Sequence, residues 1–277
     1  MNPPDNNLNP QQEEQLLEIY NDPNIVNALE GGNYLFLEGA IKKALDILCS
    51  QLPEDIAINV LDLGCGGGKG GEIIIDELKK RKRTGGWVGV DISEAMIAQA
   101  DQILSNKENI ALIKGNFRKP NRELESILGS FNLITAFGTG DGIKDFFVHV
   151  NDILKYAEDG AVVLLTEYPE QTANTKNLDG VVPPTELGIN AMTMAKNAIR
   201  HPVAFARFVM LGIGSKQFKE YTGKMNILTL DSILDFVRIS NAKLAVVSNS
   251  SDYSPVIIRF QVTPELREKV TEHFIEQ

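Results

Sequence analysis

The densest chemical signal in this 277-residue chain is the stretch from Val60 to Gly71, VLDLGCGGGKGG. Six of the eight positions from 64 to 71 are glycine, so the backbone can turn tightly and let a ligand approach closely. The helix expected next would present free N–H groups to an anion. Three binding loops are built this way, and spacing chooses among them. A P-loop needs G-x-x-x-x-G-K-[ST]. Aligned on Lys69, its first glycine falls on Leu63 and its hydroxyl residue on Gly70, so this reading fails twice. A dinucleotide loop, G-x-G-x-x-G, is met by Gly66, Gly68 and Gly71, with Asp91 20 residues on to hold a ribose. So glycine-dense a run satisfies many patterns by chance, and that match carries little weight. The third pattern, D-x-G-x-G-x-G, is met by Asp62, Gly64, Gly66 and Gly68.

With the third pattern the likeness becomes specific. VLDLGCGGG resembles motif I of the class I S-adenosylmethionine-dependent methyltransferases, and the downstream segments fit in order. GVDIS (89–93) resembles the strand end whose acid holds the ribose hydroxyls. KGNF (114–117) resembles the adenine-contacting turn, although Asn116 stands where that family often has Asp. FNLITAFG (131–138) resembles the motif after the fourth strand, and Asp159-Gly160 followed by AVVLLTE resembles the approach to the fifth. The likeness covers about residues 56–167 and 228–263. It implies S-adenosylmethionine as cofactor and S-adenosylhomocysteine as product. In that frame Asp62 accepts a hydrogen bond from the methionine ammonium, directly or through water. Asp91 accepts bonds from both ribose hydroxyls, a charge-assisted pair. Asn116 and Phe117 bond and pack against adenine. Gly64, Cys65, Gly66, Gly68, Ile92, Met96 and Ala136 complete the cofactor wall, with Tyr20 and Tyr34 closing over it. The structural alternatives are a loop-capping role for Asp62, a helix N-terminal charge for Asp91 and core packing for Phe117.

The elements that must position these residues alternate. Strands are expected at 56–63, 87–92, 110–115, 131–137 and 161–167. Helices are expected between them, at 71–83, from Glu94 with Ser93 as its N-cap, at 121–128 and at 143–157. β-rich runs separated by helices imply a parallel sheet with right-handed crossovers. The pattern resumes with a helix at 230–240, strands at 243–250 and 256–262, and a terminal helix from Pro264. SSDYSP is too short for a helical crossover, so the last two strands should be antiparallel. Ahead of the sheet, positions 11–50 read as helices broken at Gly31-Gly32. The expectation is an α/β, Rossmann-like, seven-stranded, mostly parallel sheet with an antiparallel last strand. Residues 1–55 form a helical cover, 56–167 and 228–277 the core, and 168–227 a helical lid inserted after the fifth strand.

Composition narrows the partners. Lys+Arg 27 against Asp+Glu 37 gives a net charge of −10, which repels phosphate backbones and anionic lipid surfaces. The one basic run, KKRKR (79–83), reads as a helix C-terminus matched to the macrodipole. Neither a signal core nor a membrane-length apolar run occurs, and Cys49 and Cys65 suggest no disulfide framework or zinc site. The expectation is a cytoplasmic protein with a small-molecule substrate, no nucleic-acid or membrane partner, and an oligomeric state that sequence leaves open.

The acceptor is less legible. The [ND]-P-P-[FY] motif of amino-methylating relatives is absent after the fourth strand, where Ala136-Phe137-Gly138-Thr139 stands instead. Inserts after the fifth strand form substrate lids in small-molecule relatives. This one carries Met192, Met194, Phe205, Phe208 and Met210, side chains able to line an adaptable apolar pocket or simply to pack. With Phe137 and Tyr20 they are the candidate substrate contacts. Methyl transfer is a displacement at a sulfonium carbon, governed by alignment and water exclusion. An oxygen acceptor must also lose a proton. His201, Glu167, Tyr168 and Asp141 are the candidates to take it, while His149 and His273 read as structural or exposed. Asp141 with Glu167 could hold a divalent cation, as in metal-dependent catechol-type relatives, but the carboxylates are few and their spacing matches that family poorly, so no metal is expected. The reading is O-methylation of a small, partly apolar molecule in bacterial natural-product metabolism. C- or N-methylation, a nicotinamide dehydrogenase and an inactive cofactor-binding protein are the alternatives.

Overall fold

A computed structural model describes residues 14, 17, 18, 20, 21, 23–119, 121–140, 145–167, 181–189, 229–246 and 256–275. Most of the expected lid, including Tyr168, Met192, Met194, His201, Phe205, Phe208 and Met210, lies outside them, as does Asp141. Helix α1 runs over Pro23–Gln51. Then β1 (Val60–Leu63), α2 (Lys69–Lys80), β2 (Trp87–Asp91), α3 (Glu94–Leu104), β3 (Ile110–Lys114), α4 (Arg122–Glu125), β4 (Phe131–Phe137), α5 (Phe146–Leu154) and β5 (Ala157–Glu167) alternate. After a 3-10 turn at Pro184–Leu187 come α6 (Leu230–Ser240), β6 (Lys243–Val246), β7 (Val256–Gln261) and α7 (Pro264–Ile275).

The seven strands form one sheet in the order β3-β2-β1-β4-β5-β7-β6. β1 to β5 pair in parallel, and β7 is antiparallel to both β5 and β6. The chain reverses direction across the sheet between β1 and β4, and ligands of open α/β sheets bind at such a point. Side chains alternate between two cores. Leu61, Leu63, Ile134, Val163 and Leu165 pack with α5, α6 and α7 on one face. Val60, Leu133, Val162 and Leu164 pack with α1, α2 and α3 on the other.

Two departures from the sequence reading have local causes. Helix α1 does not break at Gly31-Gly32 but runs for 29 residues, starting at Pro23, whose missing N–H costs nothing at a helix start. Each interior glycine costs about 1 kcal/mol of helix propensity. Burial of Leu37, Ile41, Ala44, Leu45 and Leu48 against the sheet outweighs this. Strand β5 begins at Ala157 and not at 161. It pairs first with Phe131, then shifts register through a bulge so that Val162 opposes Leu133.

The segment after β5 returns to the sheet before leaving the described residues. Val181 bridges Leu244, the Val182 N–H donates to the Leu244 carbonyl at 2.8 Å, and Leu187 and Ile189 bury against α1. Gly39 and Gly188 meet backbone to backbone. A Cβ on Gly39 would sit 2.1 Å from the Gly188 carbonyl oxygen, so only glycine permits this approach of α1 to the turn.

Candidate active site

Strand β1 ends in the glycine loop, and Val60-Leu61 drive the strand through the sheet centre while Asp62 is carried to its carboxyl end. The Gly64 and Cys65 N–H groups both donate to the Val90 carbonyl, at 2.8 and 3.0 Å, pinning the loop to β2. Gly64, Gly66 and Gly68 all adopt positive φ. Gly64 is further constrained, since a Cβ there would lie 2.4 Å from the Thr139 methyl of the loop after β4.

Asp62 is 1% exposed. Its Oδ1 accepts from the Thr135 hydroxyl at 2.7 Å across the β1–β4 pairing, while Oδ2 has no partner among the described residues. Burial, only partly offset by the Thr135 hydroxyl and the Trp87 indole and reinforced by nearby Asp91, pushes this carboxyl up to about 7. A buried orphan acceptor is costly, and a cation brought to Oδ2 would relieve it. The residues therefore fit the ammonium of a bound S-adenosylmethionine.

Asp91 closes β2. Its Oδ2 accepts from the Gly66 N–H at 2.9 Å and its Oδ1 from the Ser93 N–H at 2.8 Å. Burial raises its pKa against these bonds. The Ile92 N–H also favours its charged form, and of the carboxylate's four acceptor sites at least one remains for a ribose hydroxyl. Ser93 caps α3 through the Met96 N–H, as expected, and its hydroxyl lies 2.7 Å from Asn21 Oδ1 and 3.2 Å from the Tyr20 carbonyl. Half-buried Tyr20 is thus brought close to Asp91 by its backbone, through Ser93. Tyr34 lies on α1, with its side chain outside the description.

The turn after β3 supplies Asn116, whose Oδ1 accepts from the Arg118 N–H at 3.0 Å, and half-buried Phe117, whose carbonyl accepts from the Tyr156 hydroxyl at 2.8 Å. Phe117 packs partly against the core, and the Arg118 guanidinium stands 5.3 Å from its ring centroid. Cys65, Met96 and Ala136 are buried around the loop, and Ile92 and Phe137 are half-buried.

A second polar cluster joins Glu167, one of the candidate bases, to His149, which the sequence reads as structural or exposed. Glu167, at the end of β5, is buried on the α5 face, its Oε2 accepting from the Gly140 N–H at 3.0 Å. Its Oε1 lies 3.0 Å from His149 Nε2, and that nitrogen also lies 3.2 Å from the Thr139 hydroxyl. Arg118 donates to the Thr139 carbonyl. Burial pushes Glu167 up to about 8, against the Gly140 N–H and the Arg118 charge. His149 is fully buried. No motif announces it; only its register on α5, facing β5, brings it here. His273 is partly buried, stacked on Phe147 at 3.7 Å between centroids and 3.2 Å from Asp145. Among the described residues no three His, Cys, Asp or Glu side chains group as a metal site requires.

The basic run is largely absorbed by the fold. Arg81 bonds Glu77 and reaches Asp46 at 2.8 Å, and Arg83 donates to the Leu52 and Ile56 carbonyls. No helix among the described residues is long and apolar enough to cross a membrane.

Comparison with known proteins agrees with this geometry. A family model described as a methyltransferase domain matches residues 54–207. Among solved structures, the CurJ carbon methyltransferase superposes with a TM-score of 0.57 at 10% identity, covering 91% of this chain and 61% of that one. The plantazolicin methyltransferase BpumL in complex with S-adenosylhomocysteine superposes with a TM-score of 0.54 at 12% identity, covering 91% and 95%. The 18S rRNA (guanine-N(7))-methyltransferase of Bos taurus is 45% identical over 58 residues, which are 21% of this chain and 18% of that protein. The chain thus spans under a fifth of the length of that curated relative. A glycine loop, a buried acid with an open acceptor and a second acid at the next strand end, matched by the family model over more than half the chain, place it among the class I S-adenosylmethionine-dependent methyltransferases of Rossmann-like fold.

Proposed function

We propose that this protein transfers the methyl group of S-adenosylmethionine to a small, partly apolar acceptor, with oxygen as the accepting atom. The observation that carries the cofactor half is the unpartnered Oδ2 of buried Asp62, set beside the loop that Asp91 holds through Gly66. Bound S-adenosylmethionine supplies an electrophilic methyl on a sulfonium, whose leaving group needs no proton. The protein's part is to hold and align. Asp62 takes the ammonium and Asp91 the ribose hydroxyls, while Asn116 and Phe117 receive the adenine and Met96 and Ile92 flank it. Tyr20, Tyr34 and Phe137 close the cofactor and acceptor side, with Met192, Met194, Phe205 and Phe208 as the apolar wall of the lid.

An oxygen acceptor gives up its proton to His201, Tyr168 or Asp141 in this reading. Glu167 is assigned differently from the sequence expectation. Its oxygens already engage Gly140 and His149, so it positions the loop after β4. Absence of an amino-methylation motif and the internal use of Arg81 and Arg83 favour a small molecule over nucleic acid. The short stretch of 45% identity to an rRNA guanine methyltransferase supports a second reading, methylation of an RNA base. Mass-spectrometric scoring of methyl transfer to a panel of phenols and alcohols, and to rRNA fragments, separates the two. Product only on RNA overturns the small-molecule reading, and product only on carbon or nitrogen of the panel overturns oxygen.

A further inference from the structure

We propose that His149 is a positioning residue: with Glu167, 3.0 Å from it, it forms a buried pair that holds the Thr139–Gly140 loop against Gly64, making cofactor affinity depend on the pair's protonation. The contacts are continuous. His149 Nε2 is 3.0 Å from Glu167 Oε1 and 3.2 Å from the Thr139 hydroxyl. Glu167 Oε2 takes the Gly140 N–H at 3.0 Å. The Thr139 methyl packs where a Cβ on Gly64 would have to stand. Phe117 and Phe146 flank the imidazole, at 6.3 and 6.1 Å between ring centroids, and help exclude water.

Among the described residues, Arg118 is the charge that acts on Glu167. Arg118 reaches it from the turn after β3, bonding the Thr139 carbonyl and lowering Glu167 against its burial. Asp62 stands on the opposite face of the sheet, as strand alternation requires. From α7, His273 faces Asp145 at the start of α5, and from α6, Ser232 receives the Phe146 N–H.

With one proton shared beyond the neutral imidazole's own, the pair carries no net charge. Losing that proton leaves a buried anion, which is costly without water. Admitting water means loosening the 138–140 loop, and with it the wall of the glycine loop. Cofactor affinity should therefore fall as pH rises through about 8, the value to which burial pushes Glu167. Asp62 works the other way, since its deprotonation near 7 strengthens ammonium binding.

The inference rests on the glycine loop holding the cofactor. The test is the Kd of S-adenosylhomocysteine by calorimetry from pH 6 to 9, in wild type, Glu167→Gln and His149→Gln. The amide of Glu167→Gln keeps an acceptor for the Gly140 N–H but does not titrate. Wild type should tighten through about 7 and weaken through about 8, roughly threefold or more. Glu167→Gln should keep the first change and lose the second, and His149→Gln should shift the second by about one pH unit. Should either variant fail to fold, wild type alone decides with 5′-methylthioadenosine, which carries no ammonium to titrate: its binding in two buffers of different ionisation enthalpy at pH 8 must show proton uptake. Profiles of folded Glu167→Gln and wild type that coincide, or no proton uptake, overturn the proposal. No binding at any pH would instead sink the cofactor-loop reading.

Discussion

The β1–β2 edge and the β4–β5 edge both end in buried acids, yet they are built for opposite purposes. At the first edge Asp62 keeps an oxygen unpartnered, and Asp91, held by the N–H groups of Gly66, Ser93 and Ile92, still has acceptor capacity left for a ligand. At the second edge the protein itself faces both oxygens of Glu167: Oε2 accepts from the Gly140 N–H, and Oε1 sits at ion-pair distance from His149 Nε2, 3.0 Å, without a hydrogen bond. A buried carboxylate with an open oxygen can still take a ligand, whereas one faced by protein groups on both oxygens fixes geometry. The difference separates residues that hold the cofactor from residues that hold the wall.

Removing the open acids should have the largest effect on binding. Asp62→Ala or Asp91→Ala should weaken S-adenosylhomocysteine by about 100-fold, the size of losing charge-assisted hydrogen bonds, as titration calorimetry would show. Unchanged affinity in Asp91→Ala would remove it from ribose recognition. The closed acid should instead govern stability against pH. Glu167 ordinarily titrates near 4.5 and here near 8. Because the folded form holds the proton more tightly, its contribution is fully present below 4.5 and is lost as pH rises through about 8. Two pH units correspond to about 3 kcal/mol, so wild-type Tm should drop about 5 °C more than that of Glu167→Gln between pH 6 and 8.

Gly64 joins the two edges. Gly64→Ala must adopt a φ of +66 and meet the Thr139 methyl, which should destabilise by about 2 kcal/mol in urea unfolding. Ser93→Ala removes the α3 cap and its tie to Asn21, for about 1 kcal/mol. Lys79→Ala with Lys82→Ala, both exposed, should change stability by less than about 0.5 kcal/mol and leave cofactor affinity intact. A large loss of affinity there would favour a phosphate-bearing partner.

The open edge was legible because its chemistry lies on contiguous residues. Glycine spacing, Asp62 and Asp91 follow from a strand, a tight loop and the next strand end, all local. The sheet was legible for the same reason, through β-rich runs and the short link before β7. Thr135 and His149 were not. Each enters through a neighbour far along the chain, Asp62 for one and Glu167 for the other. Periodicity gives the face of a helix or strand but not what sits opposite. Gly31-Gly32 misled because local propensity cannot register the tertiary burial of α1.

Thermal unfolding with S-adenosylmethionine, S-adenosylhomocysteine and NAD tests the central claim most directly. Both sulfur-containing ligands should raise Tm in a concentration-dependent way, by about 3 kcal/mol of stabilisation at 100 times Kd, and NAD should leave it unchanged. A rise with NAD alone would contradict the account at its foundation.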